Sequence, residues 1–221
     1  MNDPCTAHPR SLNESITHEL RRMLVEGELA PGQRLSEAAL AQSLQISRNT
    51  LREAFRVLTR EGLLKHEPNR GVTVAEPDMA SIIDIYRVRR FTECKAIAQG
   101  FPLHPGTLNM REAVEAGMRA REATDWVGVG TANMRFHKAI VELADSPRLL
   151  AFYGQIAAEL RLAFGVLGDP QFLHLPYLDM NAAILRCVEE GRAEEAMRML
   201  EDYLVQSERI VLAAYERRTR R

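Results

Sequence analysis

Residues 36–56 read SEAALAQSLQISRNTLREAFR, and this stretch decides the fold of the amino-terminal third. Ser36 is placed to cap a short helix whose apolar side is Leu40, Ala41 and Leu44. Gln45 and Ile46 form the connection. Ser47 then opens a second helix that buries Leu51, Ala54, Phe55 and Leu58 and turns Arg48, Asn49, Arg52 and Arg56 outward. Two short helices around a tight turn, the second with arginines outside, form a helix-turn-helix. Forked guanidiniums pair with guanine edges or clamp phosphates, and Asn49 and Thr50 can bond either.

The flanks extend this unit. Ile16, Leu20, Met23 and Leu24 recur at helical spacing, Gly27 ends that helix, and Pro31 with Gly32 makes a turn. Downstream, residues 63–67 predict a strand, 68–71 a turn and 72–74 the return strand. Arg70 and Gly71 stand at the tip of this wing, where a cation reaches a minor groove and a glycine permits close approach. Exposed arginines and hairpin tips are also ordinary surface features. It is the helical unit beside them that favours DNA.

Composition bounds the rest. The 221 residues suffice for two modest domains. Cys5, Cys94 and Cys187 are too few and too scattered for a disulfide framework or a CxxC metal site, which fits a reducing cytoplasm. No uncharged apolar run is long enough to span a membrane, and the first 13 residues lack the apolar core of a secretory signal. Net charge is −1, yet its distribution is uneven. Residues 48–70 carry six basic and three acidic side chains, a local +3, whereas 75–221 carry 19 basic and 21 acidic ones. A small basic surface on a near-neutral body suits a site-specific dimer better than a general coat for DNA.

With these residues in place, PGQRLSEAALAQSLQISRNTLREAFRVLTREGLLKHEPNRGVTV resembles the winged-helix end of the GntR family of bacterial transcriptional regulators. The resemblance covers about residues 11–75. It implies that Ser47, Arg48, Thr50 and Arg52 contact DNA, with Arg70 and Gly71 at the wing. Some relatives carry an arginine beside the acidic residue of the second helix, where this chain has Ala38.

Beyond a short hinge at 76–77 the pattern is helical to the end. Helices are predicted at 78–99, 107–123, 125–144, 147–167, 175–190 and 192–217, with Pro102, Pro105, Pro170 and Pro176 in loops. The expected fold is mainly α: an amino-terminal winged helix-turn-helix with a small β-wing at 11–75, then an antiparallel six-helix bundle at 78–217. Polar residues interrupt the inward stripes: Arg89 and Glu93 in one helix, Asn133 and His137 in another, Asn181 in a third, and Tyr203 in the last. Buried polar groups need partners. Either they share a polar cavity that takes a small ligand, or they form a dry network such as Arg89 with Glu93 and His137 with Asn181.

This half resembles the FCD effector domain of the FadR branch, in its shorter VanR-type subgroup, through IYRVRRFTE at 85–93, NMRFHKAIVELADSPRLL at 133–150 and NAAILRCVEEGRAEEAM at 181–197. Many relatives hold a divalent metal there through an Asp and three His. The matching positions are Asn133, His137, Asn181 and Tyr203, so one imidazole remains. No tightly held metal or other cofactor is expected, unless His174 or Asp179 joins the site. Arg89, Asn133, His137, Asn181 and Tyr203 are instead assigned to an organic effector, a carboxylate in the first instance. The implied protein is a cytoplasmic, homodimeric repressor that binds an inverted-repeat operator in double-stranded DNA and responds to a small metabolite. The alternatives are a constitutive DNA-binding protein with a filled bundle and a metal-dependent sensor. Catalysis is disfavoured, because the chain shows no activated nucleophile, phosphate loop or complete metal set.

Overall fold

A computed structural model describes residues 12–67, 71–168 and 170–219. The helices are α1 (Leu12–Glu26), α2 (Glu37–Ser43), α3 (Arg48–Arg60), α4 (Met79–Ile97), α5 (Pro105–Glu122), α6 (Trp126–Glu142), α7 (Pro147–Leu167), α8 (Pro170–Glu189) and α9 (Ala193–Thr219). Three strands, β1 (Arg34–Leu35), β2 (Leu64–Glu67) and β3 (Gly71–Val74), form an antiparallel sheet in the order β1-β3-β2.

The helix-turn-helix closes through local hydrogen bonds. Ser36 Oγ accepts from Ala39 N at 3.3 Å and Ser47 Oγ from Thr50 N at 3.1 Å, so both helices start on capped amides. Between them Gln45 takes the left-handed conformation, φ 55°, while Ile46 N donates to Ala41 O. Leu51, Ala54, Phe55 and Leu58 of α3 meet Ile16, Leu20 and Leu24 of α1 in one core. The wing gains a strand that the sequence reading treats as turn. Arg34 pairs with Thr73 and Leu35 with Val72, and Gly32 N to Val74 O extends the ladder. Two residues are too few for alternation to announce a strand; the open edge of β3 supplies its partner.

The 76–77 hinge is fastened at both sides. Asp78 Oδ1 accepts from Ser81 N and Ser81 Oγ, both at 2.8 Å, which caps α4, and Tyr215 of α9 donates to Pro77 O at 2.7 Å. Helices α4 to α9 then enclose the larger core, with Tyr86, Phe136, Tyr153 and Tyr203 among its fully buried side chains. Three prolines expected in loops belong to helices. Pro105 sits in the first turn of α5, where its missing N–H is not needed and His104 Nδ1 accepts from Gly106 N. Pro170 begins α8, and Pro176 lies inside it.

Helix α7 belongs to two cores. Tyr153, Ile156, Ala157, Leu160, Ala163 and Phe164 face the bundle, whereas Ala158 and Leu162 complete the core of the winged unit. By length and composition it is the one helix among the described residues apolar enough to cross a membrane, and half of its apolar window is buried here. Two opposed protein faces account for its apolar character. Arg161, buried at this junction, reaches Val127 O at 3.4 Å and lies under Gly27, where a Cβ would approach its Nη2 to 2.8 Å. Gly27 also has a positive φ of 79°, so any side chain here would be strained whatever Arg161 does.

Candidate functional site

The recognition surface is the outer side of α3. Arg48, Asn49, Arg52 and Arg56 are solvent-facing, and the Ser47 and Thr50 hydroxyls bond each other at 2.8 Å. Arg52 is tethered back to α2: its Nε donates to Glu37 Oε2 at 2.8 Å. Arg56 is held by Glu53 on its own helix. Both pairs are exposed and therefore weak, so a phosphate or base edge competes readily for either guanidinium. Gly71 opens β3 with φ 86° and has open space where a Cβ would stand. Arg70, the other wing residue assigned to DNA, lies outside the described residues.

Inside the bundle the polar residues converge as expected, but onto Glu93. This carboxylate accepts from Arg89 Nε at 2.6 Å, from the Tyr153 hydroxyl at 2.6 Å and from His137 Nδ1 at 2.7 Å. The chain continues from His137 Nε2 to the Tyr203 hydroxyl at 2.9 Å, then to Asn133 Oδ1 at 3.2 Å. Asn133 Oδ1 also accepts from Asn181 Nδ2 at 2.7 Å. Of the two dry pairs read from the sequence, Arg89–Glu93 forms. His137 and Asn181 do not meet, because Tyr203 and Asn133 stand between them. Glu93 and Tyr153 are members that the sequence assignment of the site left out.

The electrostatics follow from burial. Burial alone would raise the Glu93 carboxyl, but Arg89 and then His137 hold it at about 2, so it is ionised. Burial lowers His137 despite the pull of Glu93, which leaves the ring neutral at neutral pH, with Nδ1–H donating to the carboxylate. Burial likewise drives the Tyr153 and Tyr203 phenols well above their ordinary range. Tyr203 has one proton and two acceptors, His137 Nε2 and Asn133 Oδ1, so it serves one at a time. Among the described residues, three buried polar atoms in and beside this network have no hydrogen-bond partner: Arg89 Nη2, Asn181 Oδ1 and the Tyr177 hydroxyl. The Tyr177 hydroxyl does interact with Ser207, whose own hydroxyl bonds Tyr86 at 2.7 Å, but not in hydrogen-bonding geometry.

These residues do not fit a divalent metal. Two amides, a phenol and one imidazole make a poor donor set, and both nitrogens of that imidazole are engaged. Asp179 is exposed and pairs with Arg121 at 3.1 Å, away from the network. The side chain of His174 lies outside the described residues. Elemental analysis of protein purified without added metal should find well below one tightly held zinc, nickel or manganese per chain. Near-stoichiometric metal that disappears in His137→Ala would overturn this.

Two family profiles match the chain: that of bacterial regulatory proteins of the gntR family over residues 12–74, and that of the FCD domain over residues 84–206. A solved GntR transcriptional regulator from Rhodococcus sp. RHA1 is 35% identical and superposes with a TM-score of 0.84, covering 93% of this chain and all of that one. McbR/YncC of Escherichia coli shares the fold at 24% identity, with a TM-score of 0.80 over 94% of this chain and all of that one. Among curated relatives, the transcriptional repressor RspR of E. coli K12 is 25% identical over 83% of this chain and 82% of its own length. YdhC of Bacillus subtilis is 26% identical over 60% of each chain, so that alignment spans well under two thirds of the relative.

Proposed function

Because this chain belongs to the gntR family of bacterial regulatory proteins and carries the FCD domain through its larger part, making it a DNA-binding transcriptional regulator, we propose that it is a homodimeric repressor released from an inverted-repeat operator by a small organic acid. Ser47, Arg48, Asn49, Thr50 and Arg52 read the DNA in this proposal, with Gly71 and Arg70 at the wing. Arg89, Asn133, His137, Asn181 and Tyr203 form the effector site, joined by Glu93, Tyr153 and Tyr177. The ligand class follows from the three unpartnered atoms. Arg89 Nη2 and the Tyr177 hydroxyl are donors for a carboxylate, and Asn181 Oδ1 is an acceptor for a neighbouring hydroxyl. A small hydroxy acid carries groups complementary to all three.

The observation that carries the coupling is the double membership of α7. Tyr153 bonds Glu93 in the effector network, while Ala158 and Leu162 on the same helix sit in the core of the winged unit. A ligand that draws Arg89 from Glu93 changes what holds Tyr153. It shifts the winged units only by its difference in affinity for the two placements.

A thermal-shift screen of small carboxylates and hydroxy acids, followed by operator titration, tests this reading. Tyr177→Phe should leave the fold intact and weaken the hit by roughly tenfold, the loss of one hydrogen bond to a charged group. Unchanged affinity in Tyr177→Phe would remove the site, and a ligand that binds without altering operator affinity would remove the coupling. The second reading, a constitutive DNA-binding protein with a filled bundle, draws support from Glu93, which already gives Arg89 and His137 an internal partner. It is upheld if no member of the screen binds.

A further inference from the structure

The last turns of α9 are used neither by the DNA surface nor by the effector network. Helix α9 runs on to Thr219, whereas the part of the chain that matches the FCD domain ends at residue 206. Tyr203, Ser207, Val211 and Tyr215 recur every four residues along it and are all buried. One inner face of α9 thus runs from Tyr203, in the effector network, to Tyr215, at the hinge.

There the extension grips two backbone carbonyls. The Tyr215 hydroxyl donates to Pro77 O at 2.7 Å, across 138 residues of sequence. Asp78 already caps α4 through Ser81, so the carbonyl just before that cap takes its proton from a phenol of α9. Within the next turn, Arg218 Nη1 donates to Val166 O at 2.8 Å. Val166 O is one of the last four carbonyls of α7, which have no partner inside their own helix. The neighbouring Gly165 lies against the Pro31–Gly32 turn of the winged unit: a Cβ there would stand 2.9 Å from Pro31 Cγ and Cδ. Gly32 N bonds Val74 O, and the Glu76 carboxylate lies against Gly32. The extension therefore closes on the hinge and on the end of α7, where the turn and the last strand of the winged unit meet the bundle. An open cleft of about 610 Å³, bordered by Glu76, Met79, Val166, Tyr215 and Arg218, lies at the same place and leaves the hinge room to move.

We infer that residues 208–219 form a latch that fixes the setting of the winged unit on the bundle. The core shared with α7 through Ala158 and Leu162 holds the winged unit at one place. A second hold at the hinge stops rotation about the first. Two hydrogen bonds to carbonyls, one of them from an exposed arginine, make a hold that opens and closes. Losing either bond shifts that balance by about fivefold. The consequence for DNA rests on the homodimer reading above. Once one winged unit has engaged a half-site, the other binds as an intramolecular event. Its effective concentration at the second half-site falls as its range of settings widens. A closed latch narrows that range, so it strengthens binding to a paired site and not to a single one.

Hydrogen exchange of the full chain, read by mass spectrometry across residues 75–82, tests the latch. Tyr215→Phe keeps the buried ring and Arg218→Met keeps the apolar stem, so each removes one donor and leaves the packing. Together they should speed exchange in this segment by about tenfold. They should also weaken binding to a selected palindrome by about tenfold, while affinity for a single half-site duplex stays within about twofold of wild type. Arg209→Met removes an exposed cation from the solvent side of the same extension and should change none of these. Unchanged exchange in the double variant would overturn the latch, as would an Arg209→Met effect of the same size. Equal weakening on palindrome and half-site would show Arg218 touching DNA instead of setting the winged unit. Tighter binding to the palindrome would reverse the sense given to the closed form. Either result overturns the inference. A wild-type chain that binds the palindrome no better than the half-site would remove the homodimer reading instead, and the exchange result then decides the latch alone.

Discussion

Glu93→Ala should destabilise the protein by about 3–5 kcal/mol, the usual consequence of removing one partner of a fully buried ion pair. Urea denaturation monitored by circular dichroism measures it. The loss is large because one carboxylate answers three donors: Arg89 Nε, the Tyr153 hydroxyl and His137 Nδ1. After its removal the Arg89 guanidinium stays buried without a counter-charge. Arg89→Met with Glu93→Leu removes both charges and should be distinctly milder than Glu93→Ala. A single-variant loss below about 1 kcal/mol would show that water or another acid takes over the role of Glu93.

The same network makes the fold sensitive to acid. Glu93 is depressed in the folded state, so its contribution is complete above the ordinary carboxylate range and is lost as pH falls toward about 2. His137 is also lowered, so protonation favours the unfolded chain and its loss begins earlier, below the ordinary imidazole value near 6.5. Both slopes have the same sign: stability falls toward acid in two overlapping steps, and Glu93→Ala should flatten the lower one.

Arg52→Ala should reduce operator discrimination by roughly 1–3 kcal/mol, and Arg48→Ala by a similar amount, for bidentate contacts to guanine. Titration of a selected palindrome and a scrambled duplex at one fixed salt concentration separates this from general phosphate binding. Equal affinity in wild type and both variants would place the interface elsewhere. Arg52 has to leave Glu37 to reach a base. Glu37→Gln should therefore strengthen binding to both duplexes slightly, whereas a phosphate-only role for Arg52 would show the same loss on both duplexes in Arg52→Ala.

The winged unit was legible because its signals are local. Ser36 and Ser47 cap their helices through amides three residues on, and the buried sides of α1 and α3 repeat at helical period. Strand β1 escaped because its pairing comes from the distant residues Val72 and Thr73. In the bundle the inward polar positions could be read from periodicity, since Arg89, Asn133, His137 and Asn181 each interrupt an apolar stripe. Their partners could not, because the register between helices leaves no trace in any one of them. The sequence reading assigns Tyr153 and Tyr177 no role, since a tyrosine on an apolar stripe gives no sign of where its hydroxyl ends. Pro176 misled for a related reason: proline predicts a break, and packing on neighbouring helices outweighs it.

Helix α7 also bears on how the protein can be divided. A segment cut after the wing would carry Leu20, Leu24, Leu51 and Phe55 without the Ala158 and Leu162 that complete their core, and would present that apolar face to water. The bundle would in turn expose Arg161 and the outer side of α7. The two halves look modular in sequence, yet each lends the other part of its interior. Exchanging the DNA-reading half between relatives therefore requires the matching residues of α7 to travel with it.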